Sequence, residues 1–577
     1  MKKKLLPALI VTGLIILVVI IMGITALINK YTPTKKTEDL KEYFNISSDD
    51  EAALIVDNEL SDYKAKIIDK KIYVDYKFVH DSLNSRFYWD ANENVLLYTT
   101  ASDIISAAAD SNSYSVTKQT NDFGYPIVKA TSDSALIALD YVKQYSNITF
   151  KSYDDPARVV ITSKWDEIDS ATVSKSTQIR VKGGIKSPIL KEVKKDDKIT
   201  ILDSGDKWDK VATEDGVIGY IKRKALSESK KTKLTNPDYE EETFTHIKKD
   251  KDICLAWNQV TSQSANSKVP QVISSTKGIN VMSPTWFYLN DNNGNLADIA
   301  SKDYVSYCHS QGIEVWGLFS NFENTDVDAA YVLTHTSTRT TLINQIMSAA
   351  FNYELDGVNI DFENITEAAY GDSYIEFIRE LAIKCHNNGI SLSVDVTVPA
   401  SFNKFFNRSD MANFADYIVI MGYDEHYKGS DAGSVSSIPW VTEGVESTLK
   451  EVPADQIILG MPFYTRIWEL TPKEDDDAVT YTEDQSKYTV ASQVYSMDAA
   501  AAQLATNNAT AALDEESGQN YAEWSVSNKL YKVWLEDTTS LEKRLKLVDD
   551  NKLAGAAFWK LGFENSSVWD TVIKYLN

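Results

Sequence analysis

The sequence predicts an α/β chain that ends in a (β/α)8 TIM barrel, and three observations support this. From about residue 251 to the C-terminus, eight short apolar runs alternate with helical segments, the rhythm of parallel strands joined by helical crossovers. The run LDGVNIDFEN, Leu355 to Asn364, places polar groups with a period of two. Successive strand side chains point to opposite faces, so Asn359, Asp361 and Glu363 share one face and Val358, Ile360 and Phe362 the other. In a closed parallel barrel the apolar face meets the helix layer and the polar row faces the axis. Carboxylates at the C-terminal end of such a strand point to catalysis. Thirdly, residues before 251 are denser in short strands and turns, so the barrel is preceded by separate smaller modules.

The eight strand candidates are ICLAW from Ile253, GINVMSPTWF from Gly278, IEVWGLFS from Ile313, GVNIDFE from Gly357, SLSVDVTVP from Ser391, YIVIMGYD from Tyr417, IILGMPFY from Ile457 and AGAAFWK from Ala554. Eight strands in about 330 residues fit the fold. The interval from Thr471 to Asp537 is too long for a simple connection; AEWSV and LYKVWLE within it read as extra strands of an insertion that walls a cleft. Thr539 to Glu542 has capping-box spacing for the helix that follows.

Upstream, Lys2 to Lys4 precede an uncharged apolar run from Leu5 to Ile28. A membrane-spanning helix needs about 20 such residues, whereas a cleaved signal peptide has an apolar region of only ~7–15. Residues 1–30 are therefore expected to be an uncleaved anchor with its basic end in the cytoplasm, a cleaved signal being the alternative. Tyr31 to Asp39 reads as a stalk. Residues 40–165 form an α+β module, with IYVDYKFVHDSL from Ile72 turning from strand to helix and FYWDANENVLLYTT from Phe87 forming a hairpin. Residues 171–228 hold short strands between Gly, Asp and Lys turns, and 229–250 form a charged linker.

A formal charge of −24 excludes a nucleic-acid partner, since phosphate binding needs a basic surface. Cys254, Cys308 and Cys385 cannot build a disulfide framework and match no metal spacing, so they are expected as core thiols. No cofactor and no metal are expected. Of six scattered histidines only His426 falls near the acidic run's partners.

Several motifs in the right order resemble family 18 glycoside hydrolases. D-G-x-N-I-D-F-E from Asp356 resembles the family's D-x-x-D-x-D-x-E, and MGYD at Met421 to Asp424 its M-x-Y-D. GMPFYTRIW from Gly460 and GAAFWKLGFE from Gly555 are similar to its seventh and eighth strands. SPTWF at Ser283 to Phe287, with Asn at 359, resembles the branch of spore-cortex-lytic N-acetylglucosaminidases. IRVKGG, DKWDKV and GYI resemble a bacterial SH3 domain, a small β-barrel. Residues 40–165 distantly resemble a copper-amine-oxidase N-terminal-like module, without a histidine cluster for copper.

Glu363 is the candidate acid, because a carboxylate two residues away raises the cost of ionising both. Asp361 stands beside it and is badly placed as a second carboxylate across the sugar. The resemblance implies that the substrate's own 2-acetamido oxygen attacks instead. Asp361 would then orient the acetamido N–H, Tyr423 would donate to its oxygen, and Trp559 would floor the sugar. Met421, Asp424, Tyr464, Arg466, Trp286 and Phe287 are expected at the substrate. Asp356, Asn359 and Asp395 are expected to support the site, Asp395 either as a polar neighbour of Asn359 or Asp361 or as an acid in an unrelated layer. Asn359 departs from the aspartate of many chitinases and cannot share a proton. Trp257, Trp316 and Trp468 lie near strand ends and could stack on sugars or fill the core.

The resemblance thus implies a retaining, substrate-assisted hydrolase of β-1,4-linked N-acetylglucosamine glycans, anchored to the cell membrane with its barrel outside. Peptidoglycan is favoured over chitin. The alternatives are a chitinase, an endo-β-N-acetylglucosaminidase on N-glycans, and a catalytically silent glycan-binding surface protein.

Overall fold

The computed structural model describes residues 2–363, 365, 370–473 and 485–576. Asn364, last of the acidic run, and 474–484 of the expected insertion lie outside the described residues. The chain divides into two compact units: Met1–Trp89, Ala107–Tyr114 and Asn121–Glu241, and Asp90–Ser106, Ser115–Thr120 and Glu242–Asn577.

In the first unit, the helix Lys2–Tyr31 contains a stretch, Pro7–Tyr31, long and apolar enough to cross a membrane, with none of it buried. Two seven-stranded sheets follow. The first pairs Glu51–Val56 parallel with Arg158–Thr162 and antiparallel with Glu59–Ile68. It contains the expected strand-to-helix turn, where Asp75 caps the helix Tyr76–Ser82 through the Lys77 amide (2.7 Å). The second sheet is antiparallel and runs from Glu167–Thr172 to Lys230–Lys233. The two sheets share one core, in which Phe44 and Ile55 meet Val173, Ile179 and Val211. Residues read as a stalk lie along this unit: the Thr34 and Glu38 amides donate to Ile185 and Ile189 (2.8 Å each).

The second unit is a closed eight-stranded parallel barrel: β1 (Ile253–Asn258), β2 (Val281–Leu289), β3 (Glu314–Ser320), β4 (Gly357–Asp361), β5 (Ser391–Thr397), β6 (Tyr417–Met421), β7 (Ile457–Pro462) and β8 (Gly555–Trp559). Each strand pairs with the next, and β8 pairs with both β7 and β1. Alternation sorts the side chains into two cores. Leu255, Trp257, Trp316, Leu318, Val419 and Ala557 fill the interior. Val358, Ile360, Phe362, Ile418, Ile420 and Phe558 pack beneath the helices. Gly357 is required by this layering, because a Cβ there would lie 2.5 Å from the Trp316 ring. Cys254, Cys308 and Cys385 are all buried and free.

A segment far upstream completes the helix layer. Helix α1 (Thr336–Tyr353) has no side-chain cap at its own N-cap position, His335. Asp90 instead accepts from the Thr336 amide and hydroxyl (2.6 Å each), and Glu93 accepts from the Ser337 amide (3.0 Å). Both satisfy amides that a helix start leaves open, with the charge sign its dipole favours. Thr99 donates to the buried Glu376 of α2 (Gly371–His386) at 2.8 Å.

The insertion starts earlier than its length suggested. The run GMPFYTRIW is not one strand: β7 ends at Pro462, and Tyr464–Pro472 opens a five-stranded antiparallel sheet with Tyr488–Ser496, Lys529–Leu535, Gln519–Val526 and Ala512–Asp514. Helix α3 (Met497–Thr506) packs on it. The next helix is capped two residues before the expected box, by Asp537, which accepts from the Thr539 and Ser540 amides (2.8 and 3.2 Å).

Candidate active site

The C-terminal ends of the barrel strands open into a cleft of about 490 Å³, whose lining includes Trp257, Asp361, Glu363, Asp395, Tyr423 and Trp559. Its base is organised around one amide. Asn359, fully buried on β4, accepts from the Trp257 indole of β1 and the Ser283 hydroxyl of β2 (2.9 Å each) and donates to Asp395 Oδ1 of β5 (2.7 Å). The position needs a group that accepts on one side and donates on the other, which an amide does and a carboxylate cannot.

One turn of the alternation above, Asp361 is 6% exposed, and its Oδ1 is buried without a hydrogen-bond partner among the described residues. Burial, then Asp395, Glu363 and Glu323, hold its carboxyl well above the usual range. Glu363 is raised too, by burial and then by Asp424 and Glu323. Asp395 is pushed up by burial and pulled back by the Asn359 amide. Among the described residues no lysine or arginine lines the cleft, so these acids raise one another's proton affinity instead of pairing with cations. Glu363 is positioned through its backbone, whose amide donates to Asn321 Oδ1 (3.0 Å).

Tyr423 follows β6 and faces the acids; burial, then Asp361 and Asp395, raise its hydroxyl well above the usual tyrosine value and keep it a proton donor. Its ring meets Trp257 and Tyr464 edge-on (6.4 and 6.2 Å). Trp559, at the end of β8, meets Trp257 edge-on at 6.0 Å. Small Ala557 and Gly555 share its face below. Asp424 is held from behind by the Tyr464 hydroxyl (2.6 Å) and by Arg466 (3.4 Å).

Comparison with known proteins identifies the family of the barrel. The profile of glycosyl hydrolases family 18 matches residues 319–564, from β3 to beyond β8. The barrel is a family 18 glycosyl hydrolase domain. That places the chain among the glycoside hydrolases. It is 24% identical over 301 residues to the uncharacterized glycosylase YvbX of Bacillus subtilis (strain 168), covering 49% of this chain and 81% of that one. It is 24% identical over 287 residues to the cortical fragment-lytic enzyme of the same organism, covering 48% of this chain and 63% of the relative. The spore cortex-lytic enzyme SleL of Bacillus megaterium QM B1551 aligns with 60% of this chain and 77% of its own, at 19% identity and a TM-score of 0.49.

Within the family 18 barrel, the expected site residues fall into three groups. Asp361, Glu363, Asp395, Tyr423, Asp424 and Trp559 line one cleft. Asn359 lies beneath it, Tyr464 and Arg466 stand behind Asp424, and Met421 is half-buried at the end of β6. The third group lies elsewhere. Trp286 and Phe287 are 0% and 1% exposed in the core outside the barrel wall, which corrects the expectation that they meet substrate. Trp286 points outward by simple alternation, since Ser283 and Thr285 face the interior, and a bulge turns Phe287 out as well: Thr285 pairs with Leu318 but Phe287 with Phe319. Trp286 then donates to Asn266 (2.8 Å) and Phe287 stacks on Phe319. Asp356 sits at the opposite end of β4, accepting from the Val315 amide and pairing with His309 (2.8 Å each). Trp316 and Trp468 are core, and His426 packs beside Gly433.

Sequence reasoning missed the loop after β3. Asn321, Phe322 and Glu323 follow IEVWGLFS directly; Phe322 and Glu323 line the cleft, and Ser320 donates to Glu323 at 2.7 Å. Polar residues just past a barrel strand were the available signal.

Proposed function

We propose that this protein is a retaining glycosidase that cleaves β-1,4-linked N-acetylglucosamine glycans by substrate assistance, with peptidoglycan the favoured polymer. Glu363 is the general acid, its raised pKa keeping the proton that the leaving glycosidic oxygen needs. The 2-acetamido oxygen of the substrate attacks the anomeric carbon, as substrate-assisted family 18 enzymes do. Tyr423 donates to that oxygen, Asp361 accepts the acetamido N–H and stabilises the cationic ring, and Trp559 floors the sugar. The observation that carries this reading is Asp361 Oδ1, an acceptor buried at the cleft without a partner among the described residues. A buried polar atom left open is costly, and an acetamido N–H supplies the donor it lacks.

Peptidoglycan is favoured because a relative of this barrel is a cortical fragment-lytic enzyme and because the first unit suits a protein working at a cell envelope. In this reading Pro7–Tyr31 is an uncleaved membrane anchor, the barrel is outside the cell, and residues 171–228 are an SH3-like wall-binding module. The test is product analysis on purified peptidoglycan, chitin oligomers and a glycoprotein, with a thiazoline analogue of N-acetylglucosamine as probe. The analogue mimics the cyclised intermediate and should inhibit competitively. Efficient hydrolysis of a plain glucoside polymer would be fatal to the mechanism.

A further inference from the structure

We propose that the face of the insertion sheet turned away from the catalytic cleft carries a second, non-catalytic site for neutral pyranose units. Strand alternation separates the two faces. Arg466 and Trp468 point to one side, where they meet Asp424 and the Gly433 carbonyl (3.4 and 2.8 Å). Ile467 and Glu469 point to the other, and there they line a cavity of about 440 Å³ roofed by α3. None of the residues lining this cavity lines the catalytic cleft.

The chemistry of the wall is that of a saccharide site. Trp524 and Tyr531 are cross-strand partners whose rings stack at 5.5 Å and 8°. Gln493, Gln503 and Asn507 bring carboxamides to the same space. A pyranose presents C–H faces that lie on aromatic rings, and hydroxyls that need a donor and an acceptor each; a carboxamide offers both. Charge argues in the same direction. Glu469 is the one ionisable acid or base in the lining apart from tyrosine, and Lys529 (2.6 Å) and the Tyr531 hydroxyl (2.8 Å) already satisfy it. Among the described residues the cavity therefore has no free cation for an anionic ligand and no free anion for a cationic one. Its size is within the range of small-ligand pockets, about 300–1,000 Å³.

Such a site would hold a polymer beside the cleft and raise the local concentration of cleavable bonds. It stands apart from the assignment of the hydrolytic mechanism, because it predicts binding rather than turnover. The test uses the full chain carrying Glu363→Gln, titrated calorimetrically with a β-1,4-linked N-acetylglucosamine tetramer and with cellotetraose, and sedimented with the insoluble polymers. The expected result is a saccharide-binding event outside the cleft that Trp524→Ala abolishes and Gln503→Ala weakens about tenfold. Sedimentation should loosen in both variants, while turnover of a short soluble substrate by the corresponding Glu363-containing proteins stays within about twofold of the parent. Gln503 is a half-exposed residue of α3, so its variant decides the matter even where loss of the Trp524 ring disturbs the sheet. Identical stoichiometry, affinity and sedimentation in the parent and Gln503→Ala would overturn the proposal.

Discussion

Two clusters of buried acids in the same barrel are built on opposite principles. Between α1 and α2, Glu380 accepts from Arg339 (2.8 Å) and Glu376 pairs with Arg379 (2.9 Å), which also reaches Asp410. Each acid there has a cation, and Glu376 has the Thr99 hydroxyl as well. Burial pushes the Glu376 carboxyl up, and Arg379 pulls it back. In the cleft, Asp361 and Asp395 are as deeply buried and Glu363 stands at the exposed rim, and among the described residues no cation lines the cleft beside them. The first arrangement is what a fold needs to keep charge in its interior. The second raises proton affinity and leaves an acceptor open, at a cost in stability that only binding or chemistry offsets.

The largest expected effect breaks the second cluster. Glu363→Gln should keep the fold and lose ~10²–10⁴-fold in turnover, the usual worth of acid catalysis. The substrate should be a natural glycan, since an activated leaving group hides loss of the acid. Because Glu363, as the proposed acid, has to be protonated to act, the parent's rate should fall as pH rises through its raised pKa. An alkaline limb unchanged by the removal of Glu323 or Asp424 would show that their charges do not set it.

Exchanging the clusters' behaviour is the next test. Arg339→Met leaves Glu380 buried without its partner and should cost about 3–5 kcal/mol of stability. Asp361→Asn should do the reverse: lose about 10²–10³-fold in rate yet unfold no more easily than the parent at pH 7. The folded state binds the Asp361 proton more tightly than the unfolded chain, whose aspartates titrate near about 4. Above that pH, and up to the raised folded value, the native state carries more protons, so stability falls as pH rises. Denaturant melts across that window should show a shallower decline for Asp361→Asn; an identical slope would mean that Asp361 titrates normally in the fold.

A smaller effect separates the units. Deleting Thr172–Ser227 from a soluble chain should weaken sedimentation with insoluble peptidoglycan but leave turnover of a short soluble oligosaccharide nearly unchanged, because Asp361, Glu363, Tyr423 and Trp559 belong to the barrel. Equal sedimentation with and without the segment would reduce it to a spacer.

The acids of the cleft were legible because a period of two is a local property: once β4 is a strand, Asn359, Asp361 and Glu363 must share a face whatever surrounds them. The same logic placed Trp559 above Ala557 and Gly555. It failed for Phe287, because a bulge is a mismatch between neighbouring strands and leaves no trace in one strand's own pattern, whereas the outward turn of Trp286 follows from the alternation itself. It also ran two strands together at Phe463, where the turn from β7 into the insertion sheet breaks no hydrophobic period.

By itself, then, the chain determined its strands, its barrel and the face on which the acids stand, since these follow from alternation and from glycine where a ring must pass. Tertiary structure alone decided which partners those residues meet. Asp395 reaches Asn359 from the adjacent strand, Asn321 holds the Glu363 backbone from a neighbouring loop, and Asp90 caps a helix that begins at Thr336. Hydrogen bonds of a few ångströms between residues far apart in sequence depend on barrel closure and packing, which no local periodicity encodes.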